Sequence, residues 1–309
     1  MEQLQTPDQV RVQPTEEAVP CVEPVVPRSA VIPQASAASC PTCRTAQSSP
    51  SANAPSYVYA IGQIEPRFPL PSVEKEFVQV RSRAGADTAK LTDREVMLKV
   101  LRENRYLVRQ LCWVLSVQGI ETCILIPRDP ADYQLLLDSY RASRKTDDLD
   151  VVIGLRGPIS TPTMCNGLLV PVVLFDQIYS FDRKSLIEGI PLPHGADTKT
   201  FTHAAGEMFD RIMLQSDNAG ATSADIAKNY LAVRYHHIYA TAADALSKNQ
   251  SLASIEVLPS PLSGTRNIVD VVFAFTDRST DVMSKYFVRV DVTDEFPFLV
   301  SKMSPYFDR

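Results

Sequence analysis

The chain of 309 residues has no stretch approaching the roughly 18 consecutive apolar residues of a membrane span, and residues 1–8 have neither the basic start nor the apolar run of a secretory signal. Both absences predict a soluble, cytoplasmic protein with no membrane partner. A surplus of positive charge is missing too: the formal net charge is -5, so nothing electrostatic draws the chain to phosphate backbones, and nucleic acid is not an expected partner. Histidine is scarce, with four in all. The Gly-x-Ser-x-Gly elbow, the subtilisin-type protease signatures and the Gly-x-x-x-x-Gly-Lys-Ser/Thr phosphate loop do not occur, and no Ser-His-Asp arrangement is recognisable. The six cysteines are spread along a chain without an export signal, which predicts reduced thiols, with Cys112, Cys123 and Cys165 as small core residues.

Residues 1–56 contain no Gly, Phe, Tyr or Trp, but carry nine of the 23 prolines. With no large side chains to bury, such a segment cannot offset the entropy of ordering its backbone, so residues 1–56 are expected to form a disordered, proline-rich, linker-like tail. The 57–309 segment is different in kind. With 45% hydrophobic residues overall, the chain has ample material for one sizeable core there.

From Tyr57 the alternation Tyr-Val-Tyr-Ala-Ile-Gly-Gln-Ile predicts a strand stopping at Pro66 and Pro69. Ser72 is a candidate helix N-cap. Thr92 is a better one, because Glu95 stands three residues on as in a capping box. The 105–118 segment fits helical or strand spacing; we read a short helical turn running into a hairpin, with 112–117 and 122–126 reversing about Gln118-Gly119. Asp129-Pro130 opens a helix to about Arg141, and 149–155 and 168–175 read as buried strands. Residues 200–249 are mostly helical, the second helix running unbroken from near Ser223 past His236 and His237 to Ala242. Four β segments, 255–258, 268–275, 287–292 and 298–300, predict a terminal antiparallel meander. Together these predict an α+β fold, a mixed or largely antiparallel sheet with packed helices, and not a doubly wound nucleotide fold.

Few motifs carry chemistry. Cys40 and Cys43, in Cys-Pro-Thr-Cys, have the spacing of half a zinc site; incidental thiols, a zinc ligand pair and a redox pair all fit, although the proline-rich setting lacks the βαβ context of redox motifs. His203 and Glu207, one helical turn apart, could share a metal or a proton, or simply form a solvated face. Gly154-Leu-Arg-Gly-Pro158 is read as a turn leaving a strand. Three polar clusters fall where strands are expected to stop: Glu65 with Arg67, Arg128 with Asp129, and Arg156 with Asp176. Local capping and ion pairing account for such charges. Alternatively, these Arg side chains grip the carbonyls or carboxylates of a bound peptide.

Long runs in this chain resemble one family. Tyr57-Val-Tyr-Ala-Ile-Gly-Gln-Ile-Glu-Pro-Arg-Phe-Pro, Asn104-Arg-Tyr-Leu-Val-Arg-Gln-Leu-Cys-Trp-Val-Leu, Val151-Val-Ile-Gly-Leu-Arg-Gly-Pro-Ile and Phe175-Asp-Gln-Ile-Tyr-Ser-Phe-Asp are similar to the C-terminal domain of unknown function in cyanobactin maturation proteases of the PatG and PatA type. The likeness runs from Tyr57 at least to Phe181 and is looser beyond Leu186; Cys40-Pro-Thr-Cys43 is similar to a cysteine pair in the linker preceding that domain. In that family the domain is appended to subtilisin-like proteases acting on ribosomally made peptides, and it has no established activity of its own. This chain has no protease signature. The resemblance therefore implies a non-catalytic accessory or recognition domain whose partner is a precursor peptide, a cyanobactin-type protease or a second copy of itself. It implies no cofactor. The alternatives are a zinc-assisted, peptide-modifying enzyme or hydrolase, and a structural dimerisation unit.

Overall fold

The computed structural model describes residues 56–83, 90–192, 197–214 and 218–307. The proline-rich segment with Cys40 and Cys43 lies outside them. Strand β1 (Tyr57–Arg67) is followed by three helices, α1 (Pro71–Arg83), α2 (Asp93–Glu103) and α3 (Arg105–Gln110), then β2 (Cys112–Val117) and β3 (Ile120–Pro127). Next come α4 (Tyr133–Ser139), β4 (Asp148–Ile159), β5 (Pro171–Asp182) and α5 (Arg183–Glu188). The C-terminal part holds α6 (Thr198–Met213), α7 (Ser223–Arg234), α8 (His237–Ser247) and β6 (Gln250–Pro259), β7 (Ile268–Asp277), β8 (Met283–Asp291) and β9 (Phe298–Pro305). An α+β architecture results, one sheet mixed and the other antiparallel, as the sequence predicts.

The first five strands close into a barrel of order β1-β2-β3-β5-β4, in which β3 and β5 run parallel and the other pairs antiparallel. Alternation sorts their side chains. Val58, Ala60 and Ile64, Trp113 and Leu115, Cys123 and Leu125, Val152, Val173 and Phe175 share one apolar cluster with α1–α4, and by the period of two these residues line the lumen. The outer face of β2, β3 and β5 buries Val114, Ile124 and Val172 beneath the 164–170 segment, which a Cys112–Cys165 disulfide ties to β2 across a Cα–Cα distance of 5.6 Å. This corrects the expectation of reduced thiols for those two residues. Cys123 alone of the three stays a free, buried thiol.

Tyr59, Ile61, Val151 and Ile153 point outward from β1 and β4 into a second core, shared with Phe201, Met208 and Phe209 of α6, Leu231 of α7, Tyr239 of α8 and the inner face of β7 and β8. Helices α6–α8 are thus packed between the barrel wall and the meander β6-β7-β8-β9.

Local signals explain many boundaries. Thr92 forms the full capping box with Glu95, and Asp129 caps the 3₁₀ turn of residues 130–132 that leads into α4. Gln118 and Gly119 both take positive φ, 52° and 80°, as a two-residue hairpin requires. Other details differ. Ser72 lies inside α1, which begins at Pro71, a residue suited to the first helical position. The long helix expected through His236 breaks at Tyr235, whose φ of -121° and ψ of 86° leave the helical region and whose hydroxyl accepts a hydrogen bond from the Met303 backbone N–H.

Candidate recognition cleft

Gly154 does not end a strand as expected; it stands in the middle of β4, opposite a β-bulge. The register steps from Ile153↔Gln177 to Gly154↔Phe175, which leaves Asp176 unopposed. A Cβ at Gly154 would overlap Leu174 O and lie 2.6 Å from Phe175 Cα, so the close approach of β5 at the bulge needs glycine. Phe175 and Ile178 on either side belong to the lumen cluster, so the extra residue turns Asp176 and Gln177 together to the outer side, where Tyr179 also packs.

On that side, a cleft of about 390 Å³ opens between the barrel, α7 and the β8–β9 connection, lined by Tyr59, Ile153, Gln177, Tyr230, Arg234, Phe296 and Pro297. Its polar floor comes from three elements. Tyr59 of β1 and Tyr179 of β5 reach over β4, and their hydroxyls meet at 2.5 Å. The exposed Arg234, in the last turn of α7, lies over the Tyr179 ring with Cζ 4.8 Å from its centroid and lines the cleft together with Tyr59. Tyr230 stands edge-on to Tyr59, with ring centroids 6.3 Å apart. Burial, and then the neighbouring phenol, raise the Tyr59 hydroxyl far above the usual phenol range; burial is also the main cause of the rise at Tyr179. Both phenols are therefore neutral donors at physiological pH.

Tyr59 is held by its backbone as well as by its sheet. Its N–H donates to Gly220 O at 2.8 Å, and its carbonyl accepts from Asn229 Nδ2 at 2.8 Å. Asn229 is fully buried and exchanges two further hydrogen bonds with Asn218, of 2.7 and 2.9 Å. At Gly220, φ is 67° and a Cβ would overlap Tyr59 O, so glycine is required there too.

Beside the cleft, Asp176 and Glu295 form a carboxylate pair joining β5 to the β8–β9 connection, with Arg128 Nη2 2.9 Å from Asp176 and 3.6 Å from Glu295. Burial, followed by the hydrogen bond to Asp176 and repulsion from it, pushes Glu295 up to about 7.

The sequence-derived candidates go to separate places. Arg128 and Asp176 come together, but with Glu295 and not with Arg156. Asp129 is the helix cap described above, accepting from Ala131 N at 2.8 Å. Glu65 pairs with Arg94 at 2.8 Å and Arg144 at 2.6 Å in a network that also reaches buried Asp150, while Arg67 binds both oxygens of Glu121 at 2.6 and 2.7 Å. These are ion pairs within the fold. Arg156 donates its backbone N–H to Ser56 O at 2.7 Å, and its side chain faces no carboxylate among the described residues. His203 and Glu207 stand 3.9 Å apart on an exposed helix face, with side chains 66% and 60% accessible. Among the described residues no three His, Cys, Asp or Glu side chains cluster as a metal site would need, and no described helix is long and apolar enough to cross a membrane.

The sequence reading missed Tyr59, Tyr179, Arg234 and Glu295. Tyr59 is visible in the sequence only as a member of a strand, Tyr179 lies beyond the strand expected at 168–175, and 120 positions separate them. A larger groove of about 470 Å³ lies on the outer face of the meander beside Phe287, Tyr306 and Phe307, but its Arg289 is already bound by both oxygens of Asp270 at 2.6 and 2.9 Å.

Comparison with known proteins places this architecture. Residues 57–164 match the family described as PatG Domain, and residues 195–306 match the family described as PatG C-terminal. No curated protein matches. A solved structure titled PatG Domain of Unknown Function superimposes with a TM-score of 0.67 at 22% identity, covering 81% of this chain and 98% of that one, which establishes a shared fold. The chain thus carries, in tandem, a segment of the PatG Domain family and a segment of the PatG C-terminal family.

Proposed function

We propose that this chain is a non-catalytic accessory module of ribosomal-peptide biosynthesis of the cyanobactin type, and that it binds a precursor peptide through the Arg234 cleft. One observation supports this above the others: Arg234 is exposed and has no carboxylate partner among the described residues, yet it lies over the Tyr179 ring, whose hydroxyl is bonded to that of Tyr59, beside the exposed Phe296. Local capping or ion pairing accounts for Glu65, Arg67 and Asp129; it does not account for Arg234. A cleft that joins a few convergent polar groups to an apolar wall suits a peptide segment. A homodimer is the second reading, favoured by the open edge strand β9 with its exposed Phe298 and Val300.

Anisotropy of a labelled cyanobactin-type precursor peptide, titrated with the full-length protein, tests the first reading. Saturable binding that weakens in Arg234→Ala is expected. No binding up to roughly 100 μM would overturn it. Light scattering that follows a concentration-dependent dimer, with no peptide bound, would favour the second.

A further inference from the structure

The donors of the cleft floor point to one kind of ligand. Each phenol has a single proton. One proton makes the 2.5 Å bond between Tyr59 and Tyr179, and the other is left to point elsewhere. Arg234 contributes donors only, and the cleft lining, Tyr59 and Arg234 with Ile153, Gln177, Tyr230, Phe296 and Pro297, holds no carboxylate. Three side chains from three elements therefore bring donor groups together, around a phenol whose residue is only 2% exposed. Tyr59 is fixed there through its backbone by Gly220 and by the buried Asn218–Asn229 pair, so the donors are oriented before any ligand arrives.

We infer that this floor is a carboxylate-binding subsite, in which Arg234 and the free phenol proton of the Tyr59–Tyr179 pair hold the terminal carboxylate of a peptide while its last side chain lies against Phe296 and Pro297. The inference rests on the peptide-recognition reading above and specifies which end of the peptide is read. A planar guanidinium matches a carboxylate with two parallel hydrogen bonds. A single such cation in the cleft lining, in a chain of net charge -5, suits a monoanion and disfavours a polyanion such as a phosphate cluster. The apolar wall, with Phe296 52% exposed, suits an organic ligand and not a bare ion.

Two matched pools of N-acetylated pentapeptides ending in apolar residues, one with a free terminal carboxylate and one amidated, serve as probes for the full-length protein. A third, amidated pool with an internal glutamate distinguishes a side-chain carboxylate from a chain terminus. The readouts are binding affinity and the side-chain Nε–H resonance of Arg234. The free acids are expected to bind about ten- to a hundredfold more tightly than the amides and to shift the Arg234 resonance. Arg234→Ala should erase that preference and Arg234→Lys should restore part of it, and both variants should keep the wild-type melting temperature because the side chain is exposed. Equal affinity for acids and amides would overturn the inference and leave peptide recognition standing. Preference for the glutamate pool would place a side-chain carboxylate in the subsite and overturn the terminal assignment. No binding by any pool, together with no binding of precursor peptide, would overturn both readings.

Discussion

Replacing Glu295 by glutamine removes the titrating partner of Asp176 while keeping a side chain that can donate to it. In the folded protein the Glu295 carboxyl is raised from 4.5 to about 7, by burial first and then by the hydrogen bond to Asp176 and its charge, with Arg128 acting in the opposite direction. Folding therefore favours the protonated acid. Its contribution to stability is fully present below the unfolded-state value and is lost as pH rises through about 7. At about 1.36 kcal/mol per pKa unit, the rise amounts to ~3 kcal/mol. Solvent reaches the pair, since the Arg128 side chain is 47% exposed, and screening brings the expectation to ~1–2 kcal/mol. Urea unfolding of the full-length protein and of Glu295→Gln at about pH 5 and about pH 8.5 measures this difference. The variant should gain ~1–2 kcal/mol on the wild type between the two pH values. Parallel pH profiles, or a wild type that gains on the variant as pH rises, would refute the argument.

Three further substitutions test the packing of the fold. Gly154→Ala should lower stability in thermal unfolding by ~1–3 kcal/mol or more, because the new Cβ meets backbone of β5 that cannot rotate away. Asn229→Ala leaves the Tyr59 carbonyl and the Asn218 amide without their buried partner, and should cost ~2–4 kcal/mol in chemical denaturation. Peptide mapping by mass spectrometry should recover Cys112 linked to Cys165, and Cys165→Ser, which opens a loop of 53 residues, should cost ~2–4 kcal/mol.

Much of the fold can be read along the chain wherever a local signal sets the outcome. The hairpin at Gln118-Gly119, the Thr92 capping box, the Asp129 cap and the terminal meander follow from turn chemistry and periodicity confined to a few residues. Barrel closure and the parallel pairing of β3 with β5 depend on contacts between distant segments, which no window of sequence contains. Alternation was equally silent on the bulge at Asp176: one added residue is visible only when β4 lies alongside. Gly154 reads as a turn glycine in the sequence, whereas its lack of a Cβ serves the close approach of a neighbouring strand. Helix α7 ends at Tyr235, whose hydroxyl is bonded to β9, a tertiary contact that the periodicity of the predicted helix does not contain. The same holds for the cleft. Charged residues at strand ends stand out in the sequence because they adjoin prolines and glycines, yet most of them are satisfied within the fold, while Tyr59, Tyr179 and Arg234 become a set only through tertiary structure.

The central claim, that the cleft over Arg234 receives peptide, is tested most directly by photo-crosslinking a precursor peptide to the full-length protein and locating the adducts by mass spectrometry. Adducts at Tyr230, Phe296 and Pro297, reduced in Arg234→Ala, are the expected result. Adducts confined to Phe287, Tyr306 and Phe307 on the outer face of the meander would contradict it.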